Sequence, residues 1–311
     1  MASLKEVDMY ELIIIGGGPA GLAAGIYAAR KQLKTLLISG DIGGQVNLTL
    51  GVENYLGYQF IEGAELIDKF HAQASQYSID QKIGEKITRL DRVESIFEAT
   101  TESGDKYQAQ AIILATGKKP RKLNIPGEEE YTGKGVTYCS ICDGPVFSGQ
   151  RVAVIGGGNS AIEAALDMAI IAEHVDLVSL TPLTGDAILK NKLLNVNNLK
   201  IFTEYQTEKI EGHDFVQGLI IKDLKSGTDK RLEVSGIFIE IGLIPNSEQV
   251  KTLVKLNKMG EVPINCSCET EIPGLYAAGD VTNAPEKQIV IAAGEGAKAA
   301  LQAQHYLQRL S

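Results

Sequence analysis

A chain of 311 residues, with 44% hydrophobic and 22% charged side chains, can build two domains with separate cores and leaves little room for disorder. Its net charge of −9 argues against a nucleic-acid partner, because such binding draws on Lys and Arg neutralising phosphates; an acidic surface would favour a partner with a basic patch. The four cysteines, Cys139, Cys142, Cys266 and Cys268, are too few to scaffold a chain of this size.

Tyr10 to Ile15 reads as a short buried strand, isoleucine-rich and ended by glycine. Its apolar run has acidic residues before it and glycines after it, and is too short for a signal peptide or membrane span, so a cytoplasmic protein is expected. Gly16, Gly17, Gly18, Pro19, Ala20 and Gly21 follow, then an alanine-rich helix over Leu22–Lys31 and a strand over Thr35–Ser39. Strand, glycine turn, helix and strand is the context in which a Gly-x-Gly-x-x-Gly spacing marks a dinucleotide site. Gly43 to Gly57 is polar and turn-prone, a long loop of the kind that carries function. Ile61–Tyr77 reads as a helix, Ile87–Tyr107 as hairpins turning at Ser103 and Gly104, and Ala111–Leu114 as another buried strand running into Ala115, Thr116 and Gly117. Lys118 to Asn124 reads as a linker.

The pattern then restarts, 140 residues after the first: a strand over Arg151–Ile155, Gly-Gly-Gly-Asn-Ser-Ala over 156–161, a helix over Ile162–Ala172 and a strand over Val175–Leu180. Short strands broken near Gly212 and Gly227 fill Glu204–Ile241, a second linker falls at Gly242–Asn246, a strand at Gly274–Asp280 ends in Gly279 and Asp280, and Gln288–Leu310 is a closing helix. That last piece is too small to fold alone. The expectation is an α/β protein with two Rossmann-like dinucleotide-binding domains, the second (118–245) inserted into the first (1–117 and 246–311).

Between the two glycine loops lie Cys139, Ser140, Ile141, Cys142, Asp143 and Gly144. Thiols two residues apart can close and reopen a short disulfide, which makes a two-electron store, and two dinucleotide folds in one chain suit a flavin and a nicotinamide supplying it. Half a zinc site or inert thiols are the alternatives. Tetrahedral zinc wants four ligands, and only Cys266, Cys268 and the scattered His71, His174, His213 and His305 remain, so no metal is expected. Amide dipoles at a helix start would lower the pKa of the attacking sulfur, and Asp143 either caps that helix or transfers protons. Cys266 and Cys268 fall in an apparent surface turn and read as incidental.

These motifs, GGGPAG at 16–21, GGQVNLTLGVEN at 43–54, ATG at 115–117, CSICDG at 139–144, GGGNSA at 156–161 and GD at 279–280, resemble those of low-molecular-weight thioredoxin reductases, in order and along nearly the whole chain. Two longer stretches, KGVTYCSICDGPVFSGQRVAVIGGGNSAIEAALDMA and KQIVIAAGEGAKAAL, are most similar to the flavoprotein subunit of bacterial alkyl hydroperoxide reductase. That subunit has an extra amino-terminal thioredoxin-like part, whereas this chain begins directly at the flavin fold, so its electrons are expected to leave for a separate thioredoxin-like or glutaredoxin-like protein. The resemblance implies that Cys142 is the thiol next to FAD, that Cys139 attacks the partner's disulfide, and that Asp143 is the acid or base for the exchange. It implies that Asp280 holds the ribitol and that Gln45, Asn54 and Gln288 line the isoalloxazine or its chain. Gly16, Gly18, Pro19, Ala20, Gly21, Gly44, Thr49, Thr116, Gly117, Gly279, Lys287 and Ile289 complete the implied FAD set. Gly156, Gly158, Asn159 and Ser160 would cradle the nicotinamide dinucleotide's pyrophosphate. A homodimer, and a small domain that swings between two orientations, are also implied.

One departure bears on the donor. NADPH-using members carry a His-Arg-Arg run with a further Arg after the strand that follows the second glycine loop. Here Ser179, Leu180, Thr181, Pro182, Leu183 and Thr184 stand there with no basic residue, so a 2′-phosphate would go unpaired and NADH is favoured over NADPH. Ser179 also stands where an NAD-marking acid is expected. Ferredoxin as donor is a second reading; a ferredoxin:NADP reductase relative, a flavin oxidase without a disulfide step and a dinucleotide sensor are others, which the Cys139/Cys142 pair argues against.

Overall fold

The computed structural model describes residues 9–49 and 51–310, which form two compact units: one from residues up to 47, 64–119 and 244 onward, the other from 48–63 and 120–243. Among the described residues no helix is long and apolar enough to cross a membrane.

The first unit begins with β1 (Met9–Gly17), α1 (Pro19–Arg30) and β2 (Thr35–Ile42), and continues through α2 (Gly63–Ala74), β3 (Asp80–Ile83), β4 (Ile87–Val93), β5 (Ile96–Thr101) and β6 (Lys106–Leu114). Leu12, Ile13 and Ile14 are wholly buried. A strand apolar on both faces, as here, is what a central parallel strand needs, because helices or sheet cover it on each side. β1 pairs in parallel with β2, Ile13 beside Leu36, and with β6, Ile13 beside Ile112. β6 is one strand where the sequence suggests a hairpin arm and a separate buried strand. Its first half pairs antiparallel with β5, Ala99 beside Tyr107, and its buried second half runs parallel to β1. The helix expected over Ile61–Tyr77 is shorter, at Gly63–Ala74.

Lys118–Pro120 (β7) opens the stretch expected to be a linker. The second unit then holds β8 (Val136–Thr137), α3 (Ser140–Asp143), β9 (Arg151–Ile155), α4 (Asn159–Ile171), β10 (His174–Ser179), α5 (Ala187–Leu193), β11 (Leu199–Thr203), β12 (Tyr205–Gly212), β13 (Val216–Asp223), β14 (Asp229–Leu232) and β15 (Gly236–Ile239). Its parallel sheet has the order β11-β10-β9-β15-β8, and β12-β13-β14 form a separate antiparallel sheet. Val152 and Val154 of β9 pack with Ala161, Ala165 and Met168 of α4, while the alternate residues Ala153 and Ile155 face Val216, Leu219 and Ile221 of the small sheet. The period-two alternation of a strand thus sorts β9 between two cores.

Leu243–Pro245 (β16) pairs with β7, so each of the two expected linkers, 118–124 and 242–246, contains a short strand. The chain then returns to the first unit, with β17 (Leu275–Ala277) parallel to β6 and α6 (Ile289–Leu307) packed on α1. The helices approach so closely that a Cβ on Gly296 of α6 would stand 1.9 Å from the Ala20 carbonyl oxygen, a backbone atom that cannot turn aside. Gly296→Ala should therefore push α6 off α1 and cost about 1–3 kcal/mol, as core overpacking does. Urea unfolding checks this: a midpoint unchanged from the parent would mean that the two helices have slack.

Candidate functional site

Each unit carries the same device at the end of its central strand. Gly16 (φ +116°) is the last but one residue of β1, and a Cβ there would lie 2.2 Å from the carbonyl oxygen of Ala115, just beyond β6. Gly156 (φ +144°) follows β9, and its Cβ would lie 2.4 Å from the carbonyl oxygen of Glu240, just beyond β15. In both places the neighbouring strand fills the space of a side chain and the backbone angle is one L residues rarely adopt, so only glycine fits. The helix that follows each loop starts without a side-chain cap, at Gly18 for α1 and Gly158 for α4. The first amides of a 12-residue and a 13-residue helix therefore face the loops, which is the geometry that binds phosphate.

In the first unit, residues far apart in sequence converge beside the Gly16 loop. Gln45 Nε2 donates to Asp280 Oδ2 at 3.1 Å, although 235 residues separate them. Gly279, just before Asp280, has its amide bound by Glu295 Oε2 at 2.7 Å. The ATG turn is clamped by Asn246: Thr116 Oγ1 donates to its carbonyl at 2.6 Å, and its side-chain amide donates to Thr116 O at 2.9 Å. Beneath lies a buried ion pair, Lys118 Nζ to Glu261 Oε1 at 2.6 Å, with Lys287 Nζ 3.7 Å from the same oxygen. Lys287 also donates to the Thr282 carbonyl at 2.7 Å and to the Ala284 carbonyl. Burial raises the Asp280 carboxyl above its ordinary range, against the pull of Lys287, Lys118 and Gln45. Burial pulls the Lys287 ammonium down, and Lys118 adds to that.

In the second unit Cys139 and Cys142 form a disulfide, both half-buried, with Ile141 exposed between them. The helix expected at the pair is one turn, Ser140–Asp143, so it lacks the length for a substantial macrodipole. What survives of that expectation is one amide: Cys142 N–H donates to Cys139 Sγ at 3.1 Å. Cys139 is itself the N-cap, and Asp143 lies at the helix end, which overturns the capping alternative for Asp143. The Asp143 carboxyl is buried and accepts from the Thr137 hydroxyl, whose oxygen in turn accepts Cys139 N–H at 3.3 Å. Ser140 N–H, between the cysteines, donates to Glu240 Oε1 at 3.4 Å. Burial pushes the Glu240 carboxyl up to about 7, offset in part by the Ser140 amide and hydroxyl.

The stretch after β10 folds back over the second glycine loop. Thr184 N–H donates to Gly157 O at 2.7 Å, and Asn159 and Asp186 exchange two hydrogen bonds of 3.0 and 2.8 Å. Ser179 is buried with its Oγ against Gly157. Ser39 holds the same place in the first unit, accepting Gly17 N–H at 2.8 Å. Lys190, from the helix beyond, donates to the Leu183 carbonyl at 3.5 Å.

The family model described as "Pyridine nucleotide-disulphide oxidoreductase" matches residues 10–296. The chain belongs to the pyridine nucleotide-disulphide oxidoreductase family. Within that family it is 43% identical over 309 residues to the F subunit of alkyl hydroperoxide reductase of Staphylococcus aureus and 44% identical over 311 residues to that of Escherichia coli K12. These matches cover 99% and 98% of this chain but 61% and 60% of the relatives, so the chain spans about three fifths of their length. Among solved structures it is similar to thioredoxin reductase from Streptococcus pyogenes (34% identity, 98% of this chain and 100% of that chain, TM-score 0.92). It is similar too to that from Giardia duodenalis (32% identity, 96% and 99%, TM-score 0.89). The α/β fold with two Rossmann-like domains is that of this thioredoxin reductase group.

The family implies FAD and a pyridine nucleotide, and the uncapped helix starts behind the two glycine loops fit the phosphates of two dinucleotides. A Cβ on Gly18 would meet nothing nearer than Gly43 O at 3.9 Å, and one on Gly158 nothing within 4 Å, so both helix mouths are open. Around the first mouth stand Gly16, Pro19, Ala20, Gly21, Gln45, Gly279 and Asp280, with Thr116, Gly117 and Lys287 in the same unit. Thr49 and Asn54 fall in 48–63, which groups with the second unit. Cys268 departs from the surface-turn expectation: it is buried in the first unit's core, where burial pushes its thiol up to about 11, while Cys266 is exposed. Asn246, Glu261, Glu240 and Asp186 were missed by sequence reasoning. Only Asp186, just before an Ala-Ile-Leu helix, carries a local signal, that of an N-cap position.

Burial works to raise the Glu261 carboxyl, but Lys118, Asn257 and Lys287 together hold it below its ordinary range. Its contribution is thus full at neutral pH and lost as pH falls through its folded value. Glu261→Gln leaves the Lys118 ammonium buried without its counter-ion and should cost about 3–5 kcal/mol, most of it recovered in the double variant K118M/E261M. The denaturant midpoints at pH 7 check this. Equal midpoints for E261Q and the parent would mean that water reaches Lys118.

Proposed function

We propose that this chain is a flavoprotein disulfide reductase that passes electrons from NADH, by way of FAD, to the Cys139/Cys142 pair and on to a thioredoxin-like or glutaredoxin-like protein. The observation that carries the reading is the half-buried Cys139–Cys142 disulfide in the unit that also holds the Gly156 cradle. Relatives named as the F subunit of alkyl hydroperoxide reductase and neighbours named thioredoxin reductase support it. Bound FAD would supply the acceptance of a hydride and the delivery of its electron pair to a disulfide. Residues 9–117 and 246–310 would hold it, with Asp280 on the ribitol and Gln45 and Gln288 toward the ring. Gly156, Gly158, Asn159 and Ser160 would hold the nicotinamide dinucleotide.

In the exchange step Cys139 attacks a sulfur of the partner's disulfide and Cys142 then displaces the partner's thiol, so the pair closes as the partner opens. The Asp143 carboxyl, on the residue after Cys142 and held by Thr137, would give and take the protons of that exchange. The same resemblance supports a cytoplasmic homodimer.

The donor preference rests on the 179–184 stretch, which has no Lys or Arg and closes onto Gly157, and on Asp186, a negative charge at Asn159. A 2′-phosphate without a cation forgoes a charge-assisted bond of about 1.5–3 kcal/mol, roughly a 10–100-fold preference for NADH. Lys190 beside Leu183 is the cation that would reduce this margin. Anaerobic mixing followed at the flavin band near roughly 450 nm tests it. NADH should bleach the band at least about tenfold faster than NADPH at limiting concentration. Equal rates would remove the preference, and faster bleaching by reduced ferredoxin would establish the second reading, which the missing phosphate clamp motivates. Cys142→Ser should abolish reduction of a thioredoxin-like disulfide; undiminished turnover would exclude the pair from the path.

A further inference from the structure

Glu240 is a half-buried acid for which the electron path above has no role. It directly follows β15, and its amide donates to Ile155 O at 2.8 Å, so the sheet fixes its backbone. Its Oε1 accepts the amide of Ser140, 100 residues away in sequence, and the Ser140 hydroxyl reaches the same carboxyl. Ser140 directly follows Cys139 and is the first residue of the one-turn helix that contains Cys142. The carboxyl therefore grips the segment that must shift when the sulfur–sulfur bond opens. At the other end of that turn Asp143 is held by Thr137.

We propose that Glu240 is a positioning residue of the redox pair and that its carboxyl takes up a proton when the Cys139–Cys142 bond is reduced. With a small dithiol as reductant the step balances. The reductant's two sulfurs join, giving up two electrons and two protons. The electrons break the Cys139–Cys142 bond into one thiol and one thiolate. One proton makes the thiol and the other neutralises Glu240. The reason is electrostatic: a new thiolate near a half-buried carboxylate brings two negative charges together in partly desolvated surroundings, which favours the neutral acid.

The surroundings leave this charge balance to few groups. On the disulfide turn the ionisable groups are Cys139, Cys142 and Asp143; the glycine loop 156–159 carries none. The Arg121 side chain lies against Gly242, two residues on from Glu240. Burial raises the Glu240 carboxyl into the neutral range, and Ser140 is what lowers it. The inference holds for any reductant, so it can fail while the NADH reading stands, and the reverse.

The test is equilibration of the whole protein with dithiothreitol from pH 6 to 9, acid quenching, and counting of Cys139 and Cys142 thiols by alkylation, for the parent, E240Q and E240A. Glu240→Gln keeps an acceptor for Ser140 but cannot ionise. Relative to E240Q, the parent's reduction equilibrium should fall about tenfold across that range, or about 30 mV for a two-electron couple. Parallel pH profiles would overturn proton uptake by Glu240. E240A, which loses the grip on Ser140, should differ from E240Q by a factor that does not vary with pH, and E240Q should match the parent at pH 6. An E240A equilibrium equal to that of E240Q across the range would overturn the positioning role. Reduced-minus-oxidised infrared spectra of the parent at neutral pH need no variant at Glu240. They should show a gained protonated-carboxyl band that survives in Asp143→Asn and is missing in the redox-silent Cys139→Ser. No such band, or one lost in Asp143→Asn, would overturn the proposal.

Discussion

The contact on which both halves of this protein depend is a backbone carbonyl pressed into the space of a missing side chain. The Ala115 oxygen meets Gly16, and the Glu240 oxygen meets Gly156. Each contact brings a strand end against the turn between the central strand and its helix, and so fixes where the first amides of α1 and α4 point. Phosphate recognition by a helix N-terminus needs exposed N–H groups in a fixed place, and a side chain at either glycine would displace them. The device occurs twice, with Ser39 and Ser179 in matching positions beneath it, so the two units read as two versions of one solution.

Around the two cradles the protein places charge differently. In the first unit ionisable groups gather around a buried pair: half-buried Lys287, Asp280 and Glu295 lie near buried Lys118 and Glu261, and partial burial shifts Asp280, Lys287 and Glu295 toward neutrality. Such a cluster is stable only as a set, since removing one member leaves another charge without compensation. In the second unit the disulfide turn is tied by two carboxylates, Asp143 through Thr137 and Glu240 through Ser140, one near each end.

Much of this was legible in the sequence because it rests on local signals. Runs such as Leu12–Ile15 and Val152–Ile155 are apolar on both faces, the glycine triplets follow at once, and the Cys-x-x-Cys spacing carries its own chemistry. Elements with little local signal were missed: β3, an edge strand with exposed Ile83, and α5, where Lys190 and Lys192 sit among apolar residues. β6 read as two strands because its burial changes halfway along. Cys268 read as a surface residue because Asn265, Ser267 and Glu269 flank it, whereas α6 covers it and the Glu295 carbonyl lies 3.6 Å from its sulfur. Glu240, Asn246 and Glu261 could not be found at all, since their partners lie 100, 130 and 143 residues away.

The sulfur pair ties these parts into one device only if electrons from a nicotinamide reach it. The most direct measurement is a single turnover without oxygen and without any protein partner: the holoprotein is mixed with limiting NADH, quenched in acid, and the new thiols are alkylated and located by mass. One molecule of NADH oxidised should yield one Cys139 thiol and one Cys142 thiol. NADH consumed while the Cys139–Cys142 bond remains closed would contradict the electron path from the glycine cradles to the disulfide.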